Sequence, residues 1–261
     1  MGMSARVAAA WTRGAMLGAL VLLPVQGAAA ADLVVMADQG SVPEARALGA
    51  AFSRASGHTV TVVQEAGAAQ QRRIDTGPAD VTTGDPERLA ALARNGKVVA
   101  DSITPFRLAS LGVSVRAGAP KPDISTVEAY KAALLAAKSI GYSFGCSGLH
   151  VAEGIEQLGL TEALKAKTVR TGSQGAGGPV TDYVARGDVE IGIQQSNIMV
   201  GVPGTDYVGV PPGFLDKPCR SDLAVLAVSK QTDAARALVR FMVSPEALPV
   251  MRAAHVEPIK P

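Results

Sequence analysis

The stretch GYSFGCSGLH, residues 141–150, places Cys146 among three glycines, beside Ser147 and four residues before His150. A thiol in such a turn can serve as a nucleophile, a metal ligand, a disulfide partner or a filler. As a nucleophile Cys146 would have His150 one helical turn away to assist a thiolate. The segment Gly145-Cys146-Ser147-Gly148-Leu149 nevertheless lacks the second glycine of a nucleophile elbow. His58, His150 and His255 show no metal-ligand spacing and no C-x-x-C pair is present, so no metal is expected. The glycine-rich TGSQGAGGP (171–179) is followed by no G-K-S/T and is not a phosphate loop, so no cofactor is expected. The second cysteine is Cys219, in DKPCRSD. In an oxidising compartment a Cys146–Cys219 bridge would close a long loop, worth roughly 4 kcal/mol by loop entropy. A different chemistry needs no reactive side chain. A strand that runs through small residues into a helix leaves free backbone N–H groups, which suit an anion.

The elements that would carry such turns alternate along the chain. LVVMA (33–37) is a strand, and SVPEARALGAAFSRAS a helix with Ser41 at its N-cap, Pro43 in its first turn and Gly57 as its stop. TVTVVQ (59–64), the helix GAAQQRRIDTG, ADVTTG (79–84) and the helix PERLAALARNG continue a βαβαβα pattern, which predicts parallel pairing with right-handed crossovers. RLASLGVSVR (107–116) is long and apolar, and AGAPKPD breaks after it. A second alternating unit fills 117–217. It comprises a helix from a capping box of Ser125 and Glu128, the strand SIGYS, the helix SGLHVAEGIEQLGL, the strand TVRTG, the helix VTDYVARGD and the strand VEIGIQQ. The apolar SDLAVLAVS (221–229) then returns, and two helices close the chain, the last with Ser244 as N-cap before Pro245. Two α/β units joined by two extended crossings, with a cleft between them, is the simplest arrangement.

Residues 1–31 read as a cleaved signal peptide: Arg6 and Arg13 precede the apolar AMLGALVLLPV, and GAAAAD suits cleavage after Ala31. No cysteine at that point suggests a lipid anchor. Removing these residues takes two of 25 basic residues and none of 23 acidic ones, leaving a net charge of zero. A neutral chain gives no electrostatic support to a nucleic-acid partner. The expected product is exported and soluble.

RRIDTGPADVTTGDPERLAALARNGKVV and the closing AARALVRFMVSPEALPVMRAAHVEP, in that order, resemble the molybdate-type solute-binding proteins of ABC importers. The likeness runs through nearly all of the chain after the leader. It implies an α/β fold of the type II periplasmic binding protein class: two lobes, each a mostly parallel sheet flanked by helices, joined by a two-strand hinge. Residues 32–110 with 222–261 would form lobe I and 111–221 lobe II. The hinge would lie at the crossings near 107–116 and 217–226, with Cys219 beside it. The resemblance implies a periplasmic, monomeric receptor without enzymatic activity. It would capture a small oxyanion such as molybdate or tungstate and hand it to an inner-membrane ABC permease. By position in the family, the ligand contacts would be Gly40 and Ser41; Gly67 and Ala68; Cys146, Ser147 and Gly148; Gly177 and Gly178; and Gln194 and Gln195.

This sequence departs from the family pattern in three ways. EAGAAQQ (65–71) lacks the serine expected there, and Gln195 stands where the family has a tyrosine. Asp38 and Glu65 lie close to two of the contact loops. A carboxylate near a dianion is repulsive, so either these two point away or the ligand is not a dianion. A small organic ligand is therefore the alternative for the same receptor role, since glutamine both donates and accepts. A secreted thiol or serine enzyme is the third reading.

Overall fold

The computed structural model describes residues 30–65, 67–172 and 178–259. The expected leader, up to residue 29, and Gly177 lie outside the described residues. Chain order begins with β1 (Asp32–Met36), α1 (Val42–Ser56), β2 (Thr59–Val63), α2 (Gly67–Thr76), β3 (Val81–Gly84), α3 (Pro86–Arg94) and β4 (Thr104–Ala109). It continues with β5 (Leu111–Arg116), α4 (Val127–Ala136), β6 (Ile140–Ser143), α5 (Cys146–Gln157), α6 (Thr161–Lys165), β7 (Thr168–Thr171), α7 (Val180–Arg186), β8 (Ile191–Gln195) and β9 (Thr205–Gly209). It closes with β10 (Cys219–Val225), α8 (Thr232–Met242), α9 (Leu248–Ala253) and β11 (Glu257–Pro258).

The strands form two sheets, in the orders β11-β4-β10-β3-β1-β2 and β7-β6-β8-β5-β9. The apolar run 107–116 is shared between them. Its first half lies in β4 of the first sheet and its second half in β5 of the second, with Ser110 alone between. The return crossing, 210–218, leads into β10, whose Cys219, Arg220 and Ser221 already pair with Ala109, Leu108 and Arg107 of the first sheet. The chain thus rejoins the first sheet three residues before the boundary expected at 222. Both sheets are mixed. β1 runs parallel to β2 and β3, and β6 parallel to β7 and β8. The strands at the crossings, β4, β5 and β10, pair antiparallel because each carries the chain back across the molecule.

Each sheet buries its own apolar cluster. Leu33, Val35, Val81, Phe106, Leu223 and Val225 of the first sheet meet Leu48 and Phe52 of α1 and Leu238 and Met242 of α8. Leu111, Val113, Ile140, Ile191 and Ile193 of the second meet Leu134 of α4 and Val151 and Ile155 of α5. Burial on this scale, at about 25 cal/mol per Å² of apolar surface, is what holds each unit together. Strand β9 was not read from the sequence. It is half-buried along its length and carries polar residues, so it shows no apolar run.

Three helix starts differ from expectation. At α4 the cap is Thr126, whose Oγ1 accepts from the Ala129 N–H, because the N–H of Ser125 is turned to the Asp123 carboxylate. At α1, Asp38 caps a short 3-10 turn (39–41) ahead of the helix, and Ser41 makes no capping bond. At α5 the helix opens at Cys146 after Gly145, and the Ser147 hydroxyl bonds to Ser143 Oγ at 3.2 Å rather than to a helix N–H. Among the described residues no helix is long and apolar enough to cross a membrane.

Candidate functional site

Parallel strands end their carboxyl termini at a common edge, where loops and helix starts leave unpaired donors. Here the ends of β1, β3, β6 and β8 converge on a cavity of about 200 Å³ between the sheets. The first sheet supplies Asp38, Gln39 and Gly40 after β1, Gly84, Asp85 and Arg88 around the start of α3, Arg107 of β4, and Cys219, Arg220 and Ser221 of β10. The second supplies Ser143, Gly145, Cys146 and Ser147 at the start of α5, with Gln194, Gln195 and Ile198.

Arg107 is the centre of the floor. It is 1 % exposed, and its Nε pairs with the buried Glu44 carboxylate of α1. One guanidinium nitrogen donates to Gln195 Oε1 and another to Ser41 Oγ, each at 3.0 Å, the latter 3.8 Å from Asp38 Oδ1. Burial alone would raise the Asp38 carboxyl. Arg107 and the hydroxyls of Thr83 (2.6 Å), Ser221 (2.8 Å) and Ser41 (2.9 Å) outweigh it, and Asp38 is held below its ordinary value as an anion. Glu44 goes the other way. Its burial outweighs Arg107 and pushes it from 4.5 up to about 7.

The opposite shifts of these two acids give a pH signature. Between pH 4.5 and about 7 the folded chain keeps a proton on Glu44 that the unfolded chain releases, so stability rises as pH falls through that window. The slope cannot exceed about 1.4 kcal/mol per pH unit for one group. Asp38, whose value is lowered, loses its contribution only as pH falls below the ordinary 3.8, outside the window. A higher melting temperature at pH 5.5 than at pH 8 is expected, and Glu44→Gln should remove most of the difference. Identical profiles for the two proteins would mean that Glu44 titrates as an ordinary carboxylate.

The two sheets' units touch through polar side chains at this floor. Besides Arg107–Gln195, Gln194 Nε2 donates to Gln39 Oε1 at 3.2 Å. Asn197 Nδ2 donates to the Gly40 carbonyl at 2.7 Å and to Glu44 at 3.1 Å. A Cβ at Gly40 would lie 2.4 Å from the Gln195 amide, which would have to move off its bond with Arg107 to make room.

Of the residues expected from sequence, Gly40, Cys146, Ser147, Gln194 and Gln195 stand on the cavity wall. Ser41 does not. It is fully buried behind the wall, its hydroxyl engaged with Asp38, Ser221 and Arg107. Gly67 and Ala68 are exposed in the first turn of α2, because β2 is the edge strand of its sheet and its end lies away from the cleft. Gly148 is buried against the Ser143 carbonyl rather than on the wall. Gly178 is half-buried against Asp182, off the wall. Asp38 faces the cavity, whereas Glu65 is held by Arg73 at 2.5 Å, away from it.

Arg88, Arg107, Arg220, Ser143 and Asn197 were not singled out from the sequence. Arg220 is engaged bidentately by Asp222 at 2.8 and 2.9 Å. The Arg88 backbone N–H donates to the Asp85 carboxylate at 2.8 Å, but its guanidinium has no carboxylate partner among the described residues and makes only a long 3.5 Å contact to the Thr83 carbonyl. The one available signal was for Arg107, a charge at the head of an apolar run.

Cys146 and Cys219 are joined by a disulfide, with Cα atoms 6.0 Å apart, and no free cysteine is present among the described residues. His150 Nδ1 is 3.9 Å from both sulfurs, but it donates to the Lys217 carbonyl at 2.8 Å. These three side chains bring potential metal donors within 4.8 Å, yet both sulfurs are spent in the disulfide. The thiolate nucleophile weighed above has no free thiol to act.

A model of a family described as bacterial extracellular solute-binding protein matches residues 33–257. An aconitate isomerase of a Pseudomonas species is 30% identical, over 93% of this chain and 95% of its own. The molybdate-binding protein ModA of Rhodobacter capsulatus is 27% identical, over 90% of this chain and 93% of its own. Among solved structures, the periplasmic molybdate-binding protein of Azotobacter vinelandii superposes with a TM-score of 0.69 at 20% identity, covering 88% of this chain and 99% of that one.

Proposed function

We propose, given that this chain belongs to the family of bacterial extracellular solute-binding proteins, that it captures a small anion between its lobes and hands it to an ABC permease of the inner membrane. The observation that carries this is the inter-lobe cavity, walled on one side by the start of α5 with Ser143 and Ser147 and on the other by the Arg88 guanidinium. A helix start offers N–H donors and partial positive charge, and a guanidinium offers paired donors. The protein works in the periplasm as a monomer, its first 31 residues acting as an export signal. Residues 32–110 with 219–261 are one lobe and residues 111–218 the other, the second boundary lying three residues before the one expected from the sequence because Cys219, Arg220 and Ser221 pair with β4. Its role is to bind rather than to convert the ligand, and a thiol nucleophile is ruled out because both cysteines are joined in a disulfide.

Molybdate and tungstate are the first ligands to test, because a relative and a structural neighbour are named for molybdate. A small organic acid with more than one carboxylate is the second reading, and two observations favour it. A cavity of about 200 Å³ holds several water molecules, and a tetrahedral ion of five heavy atoms would leave much of it empty. The Arg88 guanidinium is a cation on the wall without a carboxylate partner among the described residues, and its paired donors match the two oxygens of a ligand carboxylate. The aconitate isomerase relative points the same way, since aconitate is a tricarboxylate.

A melting screen with a hydrophobic dye separates these readings. The dye is needed because the one tryptophan, Trp11, falls in the leader. At a hundredfold excess over the dissociation constant the true ligand stabilises by about 2.7 kcal/mol. A shift with molybdate and tungstate, absent with citrate and cis-aconitate, selects the oxyanion. The reverse selects the organic acid, and Arg88→Ala should then weaken it roughly tenfold to hundredfold while leaving the ligand-free melt unchanged. No shift with any of these anions would sink the anion reading. Proton NMR of cis-aconitate incubated with the protein tests for isomerisation, and conversion would overturn the assignment as a pure receptor.

A further inference from the structure

We propose that the Cys146–Cys219 disulfide is a third covalent connection between the lobes, so that the cleft pivots about this wall and opens where only hydrogen bonds join the two sides. The backbone itself crosses twice, at Ser110 and along 210–218. Cys146 is the first residue of α5, which packs on the second sheet, and Cys219 is the first residue of β10, paired with Ala109 in the first. The bond therefore spans from one lobe to the other, and both of its residues stand on the cavity wall.

The crossing before Cys219 is already fastened to the second lobe. His150 Nδ1 donates to the Lys217 carbonyl at 2.8 Å, and Lys217 Nζ pairs with Glu153 at 2.6 Å. The Leu111 N–H donates to Asp216 Oδ1 at 2.8 Å, and Leu215 packs at Gly154 of α5. Lys217 thus travels with α5, and the backbone between it and β10 is the one place on this crossing left to flex. Only Pro218 lies in that joint, which is too short to let the sides part but able to let one rotate against the other; the disulfide, holding Cα146 and Cα219 at 6.0 Å, restricts that rotation. The remaining lobe-to-lobe contacts named above, Gln39–Gln194 and Gly40–Asn197 among them, are hydrogen bonds that can break and reform. A hinge-bending protein needs a few positions that absorb the motion, and the tether decides which ones they are.

The inference needs no ligand, so its test stands apart from the ligand screen. Small-angle scattering of the ligand-free native protein is compared with the double variant Cys146→Ser, Cys219→Ser. A compact chain of this size has a radius of gyration of about 17 Å. The native protein should lie near that value, and the variant should be measurably larger while still melting cooperatively. Equal scattering from a folded variant would overturn the proposal. Should the variant not fold, amide exchange in the native protein decides. The Ser196 N–H, bonded to the carbonyl of the crossing residue Ser110, should exchange as slowly as the sheet cores. Exchange as fast as in exposed loops would overturn it equally.

Discussion

Arg107→Met should cost about 3–5 kcal/mol of stability and lower the melting temperature by roughly 6–20 °C. The guanidinium is 1 % exposed and is the shared partner of Glu44, Asp38, Ser41 and Gln195. Methionine replaces its volume but not its charge, so Glu44 is left buried against an apolar chain and Asp38 loses its nearest cation. A buried pair broken on one side is far more costly than one removed whole. Arg107→Met with Glu44→Gln should therefore recover a good part of the loss. The single variant should also gain stability more steeply on acidification than the native chain, because its unpaired carboxyls take up protons. The measurement is a set of denaturant or thermal melts between pH 5 and 8. A single variant within about 1 kcal/mol of native would show that this network is not what holds the floor together.

The second large effect is expected at Gly148. A Cβ built there would lie 1.5 Å from the Ser143 carbonyl oxygen, a backbone atom that cannot swing aside. Gly148→Ala must push α5 off the end of β6, and overpacking of this kind costs 1–3 kcal/mol and occasionally more. The helix start would move with it, carrying Cys146 and Ser147 out of position on the cavity wall. Loss of about 3 kcal/mol or more, with loss of ligand-induced stabilisation, is the expected result. Gly145→Ala is the control: its nearest neighbour would be Ser143 Oγ at 3.9 Å, and its φ of −75° suits any residue. That variant should melt within about 0.5 kcal/mol of native. A tolerated Gly148→Ala would mean that the helix sits farther from the strand than described.

These residues also show how far a sequence carries. The alternating elements and the two crossings were legible because hydrophobic periodicity is a local signal, whereas the Cys146–Cys219 pairing, 73 residues apart, was one of several uses the sequence left open. Gly148 is expected as a ligand contact by its position in the family; only the packing of α5 on β6 reveals that it answers to the Ser143 carbonyl. Ser41 was legible as a small polar residue before a helix, but its hydroxyl is claimed by Asp38 and Arg107, and Arg107 comes from a strand 66 positions on. Asn197 lies 157 positions from Gly40, and no local pattern announces their bond. Sites assembled from distant segments leave their polar partners unmarked in any one of them. The Gly67–Ala68 turn shows the reverse: a plausible local motif whose strand happens to be the sheet's edge.

The pairing of both cysteines has a practical consequence. With neither sulfur reactive and the single tryptophan, Trp11, outside the described residues, the described fold is chemically quiet toward maleimides and dark at indole wavelengths. A single dye attached at the rim of the cleft would report occupancy against an empty background, which makes this scaffold a ready starting point for a reagentless optical sensor of whatever anion it carries.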